Sequence, residues 1–152
     1  MYATVFCSIV GAGAIFAGTN PGYKHFEVVH HFRTSEAKIL IVEPELLGPV
    51  VIAAKEAGVR PEMIFIFNVL GQKVPEGFRS WTWLLEHGEE DWIRFDDLET
   101  AKTTIARLYT SGTSGLPKAA MISHYNATSF HTLTREVHPI PFEVVFLLPW
   151  RG

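Results

Sequence analysis

Two short apolar runs, KILIV at residues 38–42 and MIFIF at residues 63–67, limit what this chain can fold into more than any other feature. Each is too short for a helix and lacks the polar alternation of a strand with one wet face. Successive side chains of a strand point to opposite faces, so an unbroken apolar run means that both faces are covered, as in a parallel sheet flanked by helices. The neighbouring segments read as helices. One spans residues 23–34, with Phe26, Val29 and Phe32 on its apolar positions, and one spans 45–57 and is ended by Gly58 and Pro61. Helix alternating with buried strand predicts an α/β fold with a mostly parallel sheet.

The chain opens without a charged side chain until Lys24. A secretory signal starts with positive charge, and a spanning helix wants about 20 apolar residues with anchoring charges. Here Gly11, Gly13 and Gly18 interrupt the apolar stretch and a Thr19-Asn20-Pro21-Gly22 turn closes it. The expectation is a helix buried in the α/β core, with no stable membrane insertion. Cys7 is the single cysteine and has no charged neighbour in sequence, so it reads as a buried, inert thiol in a reducing compartment. The chain ends Trp150-Arg151-Gly152, without a peroxisomal tripeptide. Cytoplasm or an organellar matrix is the expected location, the peroxisome included for a longer parent protein.

A net charge of −3 and the absence of any block of five or six like charges exclude nucleic acid as the main partner. Glu89, Glu90, Asp91, Asp96, Asp97 and Glu99 lack the spacing of a calcium loop and read as a solvated connector. His124, His131 and His138 recur every seven residues, whereas helical zinc pairs sit four apart, so no metal site is predicted. His30 and His31 read as surface residues on different faces of a helix. Gly71, Pro75 and Gly77 mark a loop over 68–80, followed by a short helix at 81–87, and Trp81, Trp83 and Trp92 read as packing beneath that loop.

The chemistry concentrates further on. Residues 103–110 read as strand and 118–122 as strand again, and the segment 109–118 that links them is YTSGTSGLPK. Gly112 and Gly115 allow the backbone to approach a ligand closely and to aim N–H dipoles at an anion. Thr110, Ser111, Thr113 and Ser114 add hydroxyl donors for phosphate oxygens, and Lys118 adds a full positive charge. The pattern differs from the Walker loop, whose lysine opens a helix, and from the three-glycine kinase loop. Ser123 is placed to cap a helix running to about Val137, which Pro139 and Pro141 stop, and EVVFLL at 143–148 reads as a last strand.

This string resembles the ATP-phosphate loop of the AMP-forming acyl-CoA synthetases, the family of 4-coumarate:CoA ligases, luciferases and nonribosomal-peptide adenylation domains. GAGAIFAGTNP at residues 11–21 is similar to the family's upstream helix and turn. GQKVPEGFRSWTWLLEHGEEDW at residues 71–92 resembles fungal members of the 4-coumarate:CoA ligase-like branch. The resemblance implies a two-step reaction on a small carboxylic acid: ATP gives acyl-AMP and pyrophosphate, then coenzyme A takes the acyl group. It places Thr110, Ser111, Gly112, Thr113, Ser114, Gly115 and Lys118 on the leaving pyrophosphate, with Lys118 as the catalytic cation. Mg2+ is implied as well, its ligand lying outside these residues.

Ala119 stands where many members carry Gly, and Trp150-Arg151-Gly152 stands where the family continues with an aromatic and a His. By this resemblance residues 1–152 are an incomplete AMP-binding N-terminal domain without the C-terminal domain. The adenine, ribose and magnesium sites would then lie elsewhere, and two outcomes are expected: a piece of an acyl-activating ligase, or an inactive product that keeps only the phosphate loop.

Overall fold

The computed structural model describes residues 2–86, 100–110 and 115–137. The acidic connector, the strand expected at 143–148, Trp92, His138 and residues 111–114 lie outside them. The described elements run α1 (Tyr2–Gly11), β1 (Phe16–Gly18), α2 (His25–Ser35), β2 (Leu40–Val42), α3 (Leu47–Ala57), β3 (Ile64–Ile66), β4 (Arg79–Ser80), β5 (Thr104–Thr110), β6 (Lys118–Ser123) and α4 (His124–Val137), with short 3-10 turns between. The fold is α/β. One three-stranded sheet has the order β1-β5-β6 and the other β2-β3-β4. The chain forms two compact units, one of Ala17–Trp92 with Arg107–Ala120, the other of Met1–Phe16, Ile93–Ala106 and Met121–Gly152.

In the first of these units the two apolar runs become the neighbouring strands β2 and β3. They pair in parallel, Leu40 with Ile64 and Val42 with Ile66, and β4 pairs parallel to β3 through Phe65 and Arg79. All three residues of β3 are buried, as unbroken apolar character requires. Ile64 joins Leu40 and Val42 in a core with Val29 and Phe32 of α2 and Ala53 and Ala54 of α3. Phe65 stacks on Trp83 at 5.8 Å between centroids, and the Arg79 guanidinium lies 3.9 Å from the centre of the Trp83 ring. Trp81 meets Phe67 edge-on. The tryptophans of the described segment therefore pack, as expected of them, and the 81–87 helix is realised as a 3-10 turn over Trp81–Leu85.

Helix α2 starts where the Glu27 carboxylate accepts from the Lys24 N–H at 2.7 Å. It ends at Glu36, a non-glycine residue in the left-handed region at φ 54° whose N–H, with that of Ala37, closes on the carbonyls of the last turn. Phe26 corrects the expected apolar face, being 56% exposed. At 3.6 residues per turn it falls on the far side of Val29 from Phe32, outside the buried arc.

The other unit corrects three expectations. Helix α1 stops at Gly11 and has no fully buried residue. Phe6, Ile9 and Val10 lean on the core of Phe16, Ile105 and Ala106, and the Tyr2 ring stands edge-on to Phe16, because so short a helix has one face against its neighbours while its apolar residues run all round it. Residues 16–18 are strand, reached through Gly13 at φ 72°. Cys7 faces solvent for the same reason and is an exposed thiol. Among the described residues no helix is long and apolar enough to cross a membrane.

Helix α4 is capped as its sequence predicts. The Ser123 hydroxyl accepts from the Asn126 N–H at 3.1 Å, and the Asn126 side chain accepts from the Ser123 N–H at 3.0 Å. Phe130, Leu133 and Val137 share one face of it and are all exposed, with Phe130 at 72%. A surface of this kind drives association. The 152-residue chain is therefore expected to self-associate at micromolar concentration, and the double substitution Phe130→Ser, Leu133→Ser to reduce it. Sedimentation velocity checks this, and a monomeric parent chain with a cooperative thermal transition would contradict it.

Candidate functional site

Strand β5 ends at Thr110 and β6 begins at Lys118, and the two are hydrogen-bonded neighbours in one sheet, so the loop is delivered by adjacent strands. Of the residues expected to hold phosphate, Thr110, Gly115 and Lys118 are described, and all three are exposed. Ser111, Gly112, Thr113 and Ser114 lie outside the described residues. Gly115 has φ 145°, a conformation that an L side chain rarely adopts, which accounts for glycine at this position. Among the described residues no carboxylate pairs with Lys118, so its ammonium is not neutralised by them. Pro117 between them is buried.

The chain on either side of the loop is held by α2, through residues to which the sequence reading gave no part in the site. The hydroxyl of Tyr109 lies 2.8 Å from Thr34 Oγ1. Its ring stands edge-on to the imidazole of His31, with centroids 4.0 Å apart. His30 Nε2 donates to the Pro117 carbonyl at 3.3 Å. Arg107 Nη1 donates to the carbonyls of Thr34 and Ser35 at 3.2 and 2.8 Å, two groups that a helix end leaves without partners of its own.

His31 overturns the expectation of a surface histidine, being 1% exposed. Its Nδ1 lies 2.7 Å from Thr19 Oγ1, and among the described residues no partner meets Nε2. Burial first, and the neighbouring His30 second, pull the imidazole from its ordinary 6.5 down to about 4. The residue is thus neutral at pH 7. A histidine next to another on a helix gives no sequence signal of such burial, since the covering groups, Tyr109 and Tyr23, come from elsewhere in the chain.

The family model for AMP-binding enzymes matches residues 1–149. The chain belongs to that family. Acyl-CoA synthetase ACTT5 of Alternaria alternata is 54% identical over 162 aligned residues, which cover 98% of this chain and 28% of that protein. Phenylacetyl-CoA ligase epaB of Aspergillus niger is 43% identical over 150 residues, covering 97% of this chain and 28% of its own length. Among solved structures, the anthranilate CoA ligase AuaEII in complex with anthranoyl-AMP is similar with a TM-score of 0.73 and 26% identity, over 87% of this chain and 24% of that one. The long-chain-fatty-acid-CoA ligase FadD1 from Archaeoglobus fulgidus gives 0.73 and 25%, over 91% and 26%. The chain therefore spans about a quarter of the length of the relatives it matches.

The neutral, buried state of His31 sets a pH dependence. Because its pKa is lower folded than unfolded, the unfolded chain binds the extra proton, so the contribution is whole above about pH 6.5 and is lost as pH falls toward 4. The loss is expected to reach about 3 kcal/mol. Urea midpoints measured from pH 7 to pH 4 for the parent chain and His31→Phe test this, and parallel profiles would refute it.

Proposed function

We propose that this chain carries the pyrophosphate-gripping part of an ATP-dependent ligase that activates a small carboxylic acid and passes it to coenzyme A. In the first step a carboxylate oxygen attacks the α-phosphorus of ATP, the bond to the β-phosphate oxygen breaks, and pyrophosphate leaves. In the second the thiol of coenzyme A attacks the acyl carbon, a thioester forms, and AMP departs with the electron pair of the mixed anhydride. Residues 1–152 would be the N-terminal part of such an enzyme. The cytoplasm or an organellar matrix, where ATP and coenzyme A meet, would be its place.

The observation that supports this most is the run of hydroxyls, glycines and one ammonium between two neighbouring strands, with Gly115 at positive φ and Lys118 exposed and unpaired among the described residues. Negative charge grows on the leaving pyrophosphate, and donors already aimed at it need no reorganisation when it forms. The hydroxyls of Thr110, Ser111, Thr113 and Ser114 and the N–H groups beside Gly112 and Gly115 would provide the donors. Lys118 would provide the cation. Magnesium enters by family alone: among the described residues no three His, Cys, Asp or Glu side chains stand together to hold it, and no step here runs through it.

The span of about a quarter of the relatives' length supports a second reading for the chain by itself, a phosphate-binding unit without turnover. An ATP–pyrophosphate exchange assay with a panel of carboxylic acids distinguishes the two, since exchange that depends on the acid would exclude the second. If exchange is present, Lys118→Ala is expected to slow it about 100-fold to 1,000-fold, as removal of one such group does elsewhere. If it is absent, the same substitution is expected to abolish binding of inorganic pyrophosphate measured by calorimetry.

A further inference from the structure

We propose that His30, His31 and Thr34 of α2 are positioning residues for the phosphate loop, holding the chain on both sides of it. The three occupy one stripe of the helix. At 3.6 residues per turn Thr34 lies about 40° round from His30, and His31 about 60° further. This stripe is separate from the arc of Val29 and Phe32 that enters the core.

Each tie falls one residue from a group that would touch phosphate. On the entry side Thr34 Oγ1 is 2.9 Å from the His30 carbonyl and 2.8 Å from the Tyr109 hydroxyl. A threonine hydroxyl has one proton and a carbonyl can only accept, so the Thr34 proton goes to the carbonyl and the phenol donates to Thr34. With its ring also against His31, Tyr109 is fixed at both its apolar body and its polar tip, immediately before Thr110. On the exit side the His30 bond fixes the Pro117 carbonyl. That oxygen shares a rigid plane with the N and Cα of Lys118, so orienting one orients the base of the lysine side chain. Proline has no N–H, and this carbonyl is its only main-chain handle. The Arg107 bonds to the last carbonyls of α2 complete the link between helix and β5.

The inference rests on reading residues 110–118 as a phosphate loop, and two measurements on the 152-residue chain separate the claims. Hydrogen exchange followed by mass spectrometry reports on the loop without ligand, and calorimetric titration with inorganic pyrophosphate reports on binding. Tyr109→Phe and His30→Ala, neither of which replaces the buried His31 itself, are each expected to speed exchange within 109–118 about threefold to tenfold, and to weaken pyrophosphate by a similar factor. His30→Gln, whose amide N–H can reach the same carbonyl, is expected to restore both. Unchanged exchange at the loop in both variants would overturn the proposal, as would a rise spread evenly along the chain, which is the mark of general destabilisation. Exchange that changes as expected in a parent chain that does not bind pyrophosphate would uphold the ties and refute the phosphate reading.

Discussion

Helix α2 engages its unit along two arcs at once, one buried and one running from the buried His31 to the exposed Thr34, and the order of that unit depends on the double engagement. Val29 and Phe32 pack into the core with β2, β3 and α3, while His31 and Thr34 meet Tyr109 of β5 and His30 meets Pro117 just before β6. The first arc supplies nondirectional stabilisation in proportion to the apolar area it covers. The second is directional, and its bonds are worth little individually. In the proposed role their effect is to remove freedom from a few backbone units beside exposed donors, so that those donors would not have to be ordered when a charged ligand binds.

How much of the fold could be read beforehand follows from where each force originates. The strands β2 and β3 were legible because complete burial leaves a contiguous signature of apolar residues, and the parallel pairing followed from the helices between them. The cap of α4 was legible because Ser123 stands immediately before the helix with a hydroxyl that can accept from its first-turn N–H groups. Helix α1 was not, since apolar character all round reads as burial, yet its neighbours in this unit cover one face, along Tyr2, Phe6, Ile9 and Val10, and bury no residue fully. Strand β4 was missed within the 68–80 loop because two residues carry no period.

The site divides in the same way. The chemistry proposed for it is read locally, from a density of hydroxyls, glycines and a lysine that needs no partner to be recognised in the string. Its support is not local. Tyr109 and Thr34 are 75 positions apart and His30 and Pro117 are 87 apart, and no pattern within a single segment announces such a meeting. His31 shows the same limit in another form: an imidazole that looked like a surface group is held neutral in the interior, covered by the ring of Tyr109 from 78 positions away as well as by the nearer Tyr23.

The two arcs of α2 also restrict how its gene can vary. One residue added or removed between Val29 and His30 would turn everything after it by about 100° relative to what precedes it. The core arc and the loop-facing stripe would then no longer address their neighbours together, and the left-handed stop at Glu36 would release the final carbonyls in the wrong direction for Arg107. The segment thus has a fixed length, although substitution on its exposed positions, Phe26 and Arg33 among them, leaves that phasing intact.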